Sequence, residues 1–486
     1  MTPPRKTDGD GIAIVLFRHD LRIADNRALA AAAASYAKVL PVFVFDEESP
    51  GTRPLGGARR WWLHNSLEQL AASLEELGAP LVLRRGRMGA VVSALVRETG
   101  AAAVFWNRRY DAPAIEADRL MKEALRDKGI QAESFEGHLL HEPWQLKTGS
   151  GGHYRVYSPF WRALAAQGDP RPPVDAPGRL AAPDKTPRSE TLSDWQLLPQ
   201  RPDWAGGLRE AWTPGEAGAQ ARLRDFLDED IRGYAEGRDR PDQPSTSRLS
   251  PHLTHGEITP FQIWQAVREA KGVPGHDAEK FLKEVAWREF SWHLLYHHAD
   301  LGTANFNPDF DSFGWKGQAN ELERWQKGQT GYPIVDAGMR QLWRTGWMHN
   351  RVRMVTASFL IKHLMTNWRV GEAWFWDTLV DADPASNAAS WQWVAGSGAD
   401  AAPYFRIFNP ILQGEKFDPD GNYVRAFVVE VEKLPAASVH KPWEATRETL
   451  EKAGVRLGET YPRPIVDHGE ARQRALSAYE KVKEAS

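Results

Sequence analysis

The sequence predicts an α/β N-terminal domain built on a doubly wound parallel sheet, followed by a nearly all-α C-terminal domain. Three observations carry this. Short apolar runs, IAIVLF (12–17), VLPVFVF (39–45), LVLRR (81–85) and AAVFW (102–106), alternate with helical patterns at 58–77, 89–99 and 114–128. Such alternation marks parallel strands joined by crossover helices; QAESF (131–135) offers a fifth strand. From about residue 219 the apolar spacing turns helical, at 219–233, 259–271, 277–299, 319–328, 335–365 and 370–380, with one more pattern near 469–484. Between the two, residues 168–218 are rich in Pro, Gly, Asp and Arg with weak periodicity, as an interdomain connection is. The expected organisation is 1–140 (α/β), 141–218 (connection) and 219–486 (helical), a natural division for 486 residues.

Composition removes several function classes. There is no cysteine, hence no disulfide, thiolate metal site or cysteine nucleophile, which suits a reducing, cytoplasmic setting. The opening MTPPRKTDGDG has no signal-peptide character, and the Ala-rich stretch 28–45 is broken by Ser35, Lys38 and Pro41, so no membrane span is expected. The first apolar run, IAIVLF, is followed by RHDLR, not by G-x-G-x-x-G, so the dinucleotide fingerprint is absent. A net charge of −3 gives no bulk attraction to nucleic acid, yet residues 338–370 carry Arg340, Arg344, Arg351, Arg353, Lys362 and Arg369 without one acid. Of 21 tryptophans, 15 lie after residue 200, which means either a Trp-rich helical core or stacking surfaces for a ring system or bases.

Four segments offer chemistry. Thr246-Ser247-Arg248-Leu249-Ser250 places hydroxyls and backbone N–H groups before a helical pattern, which suits a phosphate as well as a plain cap. In EKFLKEVAWREFSW, Glu284, Trp287, Arg288 and Ser291 share a helical face with Phe281: a cavity wall, or a solvated face with a Glu284–Arg288 pair. In GMRQLWRTGWMHNRVRM, Trp343, Trp347, Asn350 and Met354 recur at helical spacing among arginines, which fits nucleic acid or a core helix with a basic flank. In WDTLVDADPASNAASWQW, Asp381 and Asp383 stand at a helix start, with Asn387 and Trp391 at successive turns beyond Asp383. Capping explains one acid but not the amide and the indole together. Two carboxylates without a nearby His make a poor metal site.

Together these segments resemble the photolyase/cryptochrome family. The matching text is LFRHDLRIADNRAL, HEPWQLKTGSGGHYRVYSPFW, TSRLS, WREF, GYPIVDAGMRQL, TGWMHNRVRM, SNAASWQW and DAAPYFRIFNP, spread over nearly the whole chain. The resemblance implies FAD in the helical domain, with Tyr234, Thr246, Ser247, Arg248, Leu249 and Ser250 at ribityl and phosphates. Arg288, Trp347, Asn350, Arg353, Asp381 and Asp383 are implied around the ring systems, and Asn387 facing flavin N5. It implies light-driven splitting of cyclobutane pyrimidine dimers in single- or double-stranded DNA, by an electron from reduced FAD to a flipped-out lesion. Glu284, Asn350 and Met354 match lesion contacts, Trp287 and Trp393 the aromatic walls, and Arg238, Arg351, Arg406 and Lys416 a basic rim. Trp391, Trp368 and Trp315 match an electron path that re-reduces the cofactor, with Trp374 or Trp376 as a bypass. Asn107 and Asp111, in WNRRYD, match an antenna region for 5,10-methenyltetrahydrofolate, with 8-hydroxy-deazaflavin the alternative. GARRWWLHNSL (57–67) points to class III, close to plant cryptochromes. A blue-light photoreceptor and a 6-4 photolyase remain the rival activities. A monomer, nucleoid-associated when bound to DNA, is expected.

Overall fold

The computed structural model describes residues 11–401 and 405–485; the polar stretch 1–10 and part of the DAAPYFRIFNP motif lie outside them. Strands β1 (Ile12–Phe17), β2 (Lys38–Phe45), β3 (Val82–Arg85), β4 (Ala103–Asn107) and β5 (Gln131–Phe135) form one parallel sheet in the order β3-β2-β1-β4-β5. β1 is central. Its Ala13, Val15 and Phe17 pack with Leu63, Leu67 and Leu70 on one face, and its Ile14 and Leu16 with Val92, Leu95 and Val104 on the other. A strand covered on both faces reads as an unbroken apolar run, which is why IAIVLF lacks alternation. Helices α1 (Arg27–Ser35), α2 (Gly57–Glu76), α3 (Met88–Thr99) and α4 (Ala112–Arg126) cover the sheet.

The Pro-rich connection is stapled to the sheet's edge. Leu180 N–H donates to Leu77 O (2.8 Å), Val39 N–H to Ala181 O (2.8 Å) and Glu190 N–H to Leu83 O (2.9 Å). Leu180, Trp195 and Leu197 are buried in the same cluster as β1. Ahead of this Pro-rich stretch, within 141–218, lies α5 (Tyr157–Ala165).

The remainder is helical: α6 (Glu216–Asp225), α7 (Ser250–His255), α8 (Pro260–Glu269), α9 (Gly275–His297), α10 (Pro333–Thr345), α11 (Asn350–Ser358), α12 (Trp368–Thr378), α13 (Pro384–Ala395), α14 (Pro410–Phe417) and α15 (His468–Ala485), with shorter turns between. One expectation fails here. The continuous pattern 335–365 is two helices, because Gly346 takes φ +65° and ends α10, and His349 caps α11 by accepting Arg351 N–H. The supposed Trp343–Trp347–Asn350–Met354 stripe is therefore split. Trp343 is 59% exposed and stacks on Trp374, while Trp347 is buried against Trp61, Trp62 and Trp212.

The two domains are joined by buried polar groups. Arg22, 1% exposed, donates to Gly256 O (2.9 Å), Asp25 O (2.8 Å) and Gly137 O (3.0 Å). Trp62 donates to Glu257 (2.8 Å) and stacks on His255. Gly256 has φ +69°, and a Cβ there would stand 2.0 Å from His19 O. Gly256→Ala should therefore lose at least about 1–2 kcal/mol from backbone strain alone, plus the cost of separating the domains. A lowered thermal midpoint is expected; an unchanged one would show that the junction has slack.

Candidate functional site

A cavity of about 720 Å³ opens in the helical domain. Helix α9 presents Phe281, Glu284, Trp287, Arg288 and Ser291 to it from one face, and α11 presents Asn350, Arg351, Arg353 and Met354. Tyr234, Arg238, Ser247, Leu249 and Ser250 close a further side. The floor is the turn into α13 and that helix itself: Asp381, Ala382, Asp383, Ser386, Asn387, Ala389 and Ser390, ending at Trp391 and Trp393. Small residues there withhold side-chain volume, and this is what leaves a slot.

The polar floor is tightly partnered. Asp381 receives Arg353 at 3.1 and 2.7 Å and the Ser250 hydroxyl at 2.6 Å. Thr254 donates to its carbonyl at 3.2 Å. Asp383 caps α13, accepting from Ala385 N–H (2.9 Å) and Ser386 N–H (2.7 Å). From the α/β domain, Arg59 is wholly buried; burial brings its guanidinium down to about 10, against the pull of Asp383 and Asp381. Asn387 donates its amide to Glu372 O (3.1 Å) and Oε1 (2.7 Å), and Glu372 receives both arms of Arg53 at 2.8 and 2.9 Å. Tyr234 is held by its neighbours, since Asp277 accepts Gly233 and Ala235 N–H at 2.9 Å each.

Aromatic and charged groups gather at the mouth. Trp287 stacks on Tyr157 (3.7 Å between centroids, 8°), so one indole face is covered while the residue lines the cavity. Trp393 donates to Asp400 O (3.0 Å) beneath the Arg406 guanidinium. Glu284 pairs with Arg238 and with Lys280 (3.4 Å), not with Arg288. Arg288 donates instead to His138 O (2.9 Å) and its ring (2.8 Å). Arg351 is paired with Asp239 (2.7 Å) and lies over Phe417.

Several expected residues lie elsewhere. Thr246, Arg248 and Trp347 fall outside the lining: Thr246 O accepts from Arg222, and Arg248, at φ +53°, turns its side chain between Trp212 (4.7 Å) and Trp347 (4.9 Å). Lys416 is exposed, beside Phe417 and away from the lining. Asn107 is buried and fully engaged, donating to Asp20 (2.7 Å) and Asn26 (2.9 Å) and accepting Ala28 N–H (3.3 Å). Asp111 caps α4. That cap uses one carboxylate oxygen, which accepts Ala114 N–H at 3.2 Å. Trp391 lines the cavity, Trp368 is fully buried in the same hydrophobic cluster and Trp315 packs at its edge. The ring partners of Trp391 are Phe375 (4.9 Å) and Trp325 (6.4 Å). Of the suspected bypass residues, Trp374 stacks on Trp343 and Trp376 lies under Arg53 at the domain junction. Tyr157, Glu372 and Asp277 escaped sequence reading. Tyr157 stands in the quoted RVYSPFW stretch, but nothing local shows that it backs a residue 130 positions away.

An α/β domain clasped to a helical domain, with a slot walled by cations and hydroxyls and mouthed by indoles, fits a protein that holds a polar, aromatic ligand between its helices. The comparisons agree. Residues 281–481 match the family model described as the FAD binding domain of DNA photolyase, and residues 13–178 the model for DNA photolyase. The chain belongs to the photolyase/cryptochrome family. It is 57% identical to a deoxyribodipyrimidine photo-lyase of Agrobacterium fabrum over 97% of this chain and 98% of that protein. It is 37% identical to cryptochrome-1 of Arabidopsis thaliana over 97% of this chain and 70% of that one. The crystal structure of a bacterial class III photolyase from Agrobacterium tumefaciens superposes with TM-score 0.96 at 56% identity, covering 99% of each chain.

The donor set fits FAD. Arg288 and Arg353 supply positive charge, Ser247, Ser250 and Tyr234 hydroxyls, and Asp381, Asp383 and Asn387 polar groups beside small residues. Asp381→Asn removes the charge that Arg353 and Ser250 converge on. The purified variant should retain less FAD, read as a lower ratio of visible to ultraviolet absorbance. Undiminished occupancy would show that Asp381 does not organise the slot.

Proposed function

We propose that this chain is a light-driven DNA repair enzyme that splits cyclobutane pyrimidine dimers, of the class III kind. The observation that carries the reading is the single continuous cavity, with a cofactor-type polar floor and a mouth of indoles and guanidinium groups. The polar floor, Asp381, Asp383, Asn387 and Arg353 with Ser250, would hold FAD, which when bound and reduced would supply light-driven one-electron chemistry. The chain's own groups do the rest. Trp287, stiffened by Tyr157, and Trp393 flank a flipped-out lesion. Glu284, Asn350 and Met354 meet its edges, and Glu284 exchanges part of its pairing with Arg238 and Lys280 for the lesion. Arg238, Arg351 and Arg406 take phosphates, Arg351 in competition with Asp239. Asn387 addresses flavin N5, held in place by Glu372. Trp391, Trp368 and Trp315 form the route for re-reduction.

The antenna reading is 5,10-methenyltetrahydrofolate, with 8-hydroxy-deazaflavin second, in the region of Asn107 and Asp111; Asn107 is engaged within the α/β domain, and Asp111 keeps one carboxylate oxygen beyond its cap. No helix among the described residues is long and apolar enough to cross a membrane. A cytoplasmic monomer that associates with the nucleoid through DNA is our reading. Met354 favours cyclobutane dimers over 6-4 products, and the likeness to plant cryptochromes keeps a photoreceptor role as the second reading. The deciding experiment gives the holoenzyme oligonucleotides carrying one lesion of either type, in light and darkness. Light-dependent reversal of the cyclobutane dimer is expected; no reversal would favour the photoreceptor.

Four variants test the residue roles. Asn387→Asp sets a carboxyl against Glu372, so the two share a proton; it should keep FAD but change the spectrum of the photoreduced holoenzyme, which an unchanged spectrum would contradict. Trp391→Phe should block light-driven re-reduction yet spare repair by chemically reduced enzyme. Trp287→Ala should selectively weaken lesion binding, by about 1–3 kcal/mol, whereas Arg351→Ala should weaken binding to damaged and undamaged DNA alike. Reversed behaviour of this last pair would mean that wall and rim are misassigned.

A further inference from the structure

Lys362 is a buried amine that, among the described residues, no acid pairs with. It lies in the π-helical turn Phe359–His363 that continues α11, and is 2% exposed. Its Nζ donates to the carbonyl of Arg406 and sits 4.3 Å from the centre of the Phe405 ring. The charged neighbour acting on it is Arg406. Adjacent His363 is neutral, held by burial to about 3, and faces His468 and Arg474 of α15. Among the described residues no carboxylate forms an ion pair with Lys362. Burying an unpaired cation is costly, and an apolar side chain would fill the space more cheaply.

What Lys362 secures is the backbone at the cavity mouth. Phe405 is buried against Phe310, Phe313 and Tyr479, Phe408 N–H donates to the Ser358 hydroxyl (3.3 Å), and Lys362 satisfies the carbonyl between these two anchors. The side chain so placed is Arg406, which lines the cavity over Trp393.

We propose that Lys362 is the positioning residue of the DNA rim: it fixes the backbone that carries Arg406 over the cavity mouth. This rests on the reading of Arg406 as a phosphate contact. Burial first, and repulsion by Arg406 second, hold the Lys362 amine to about 7. A phosphate on Arg406 cancels the second cause, so the amine binds its proton more tightly in the complex than in the free protein. Below about pH 7 it is charged in both states and affinity is flat. Above that, binding draws in a proton, and affinity falls as pH rises through the interval between the free and bound values.

The test measures affinity of the FAD-loaded protein for dimer-containing DNA between about pH 6 and 9 at constant salt, for wild type, Lys362→Met and Arg406→Ala. The wild type should lose up to about tenfold per pH unit above pH 7, the limit for one linked proton. Lys362→Met should bind more weakly and without that slope. If Lys362→Met keeps wild-type affinity and pH dependence, the proposal is overturned. If Arg406→Ala leaves the salt dependence of binding unchanged, instead of lowering its slope by about one, the phosphate reading of Arg406 fails and the linkage falls with it. Should Lys362→Met not fold, calorimetry of the wild type at about pH 7.5 in two buffers of different ionisation enthalpy decides: absence of proton uptake overturns the proposal.

Discussion

The cavity depends on the carboxylate of Asp381. Three segments distant in sequence converge on it: Ser250 from the start of α7, Arg353 from α11, and the turn between α12 and α13 that carries Asp381 itself. Thr254 ties the same residue through its backbone carbonyl. A carboxylate that is 7% exposed tolerates burial only when its oxygens are filled by good donors. Here those donors fix the spacing of the walls around the slot. The floor between them is wide because α13 spends its first two turns on alanine, serine and asparagine.

The second constraint is the junction with the α/β domain, which reaches the site through side chains. Arg53 holds Glu372, and Glu372 holds the Asn387 amide at the floor. Arg288 is anchored on His138 just after the sheet. Arg59 lies buried near Asp381 and Asp383. The α/β domain thus sets the orientation of groups that line a cavity in the other domain. A loosened junction should disturb the site before it unfolds either body.

The mouth is built differently from the floor. Its cations are engaged, Arg238 with Glu284 and Arg351 with Asp239, so a polyanion must compete for them. A phosphate replaces the carboxylate each cation gives up, so neither guanidinium is left without a counter-charge. Its indoles have hydrogen-bonded or stacked backing and present defined faces, as sequence-tolerant base stacking requires.

By itself the sequence determined the order of strands and helices, because apolar period reports burial directly: β1 is covered on two faces and α9 carries its wall residues at i, i+3, i+4 and i+7. It also brought out Asp381 and Asp383 at a helix start with Asn387 and Trp391 at successive turns beyond, since residue type and helical spacing are local properties. Tertiary structure alone decided what those groups touch. Arg248 and Trp347 stack between domains, and Asn107 and Asp111 serve the α/β fold. Gly346 cuts a periodic stretch into two helices whose stripe never forms. Partners such as Tyr157 behind Trp287, or Glu372 behind Asn387, arise from contacts between segments whose sequences carry no mark of each other. A side chain's chemistry is written in its residue type, but its partner is fixed only when distant segments pack.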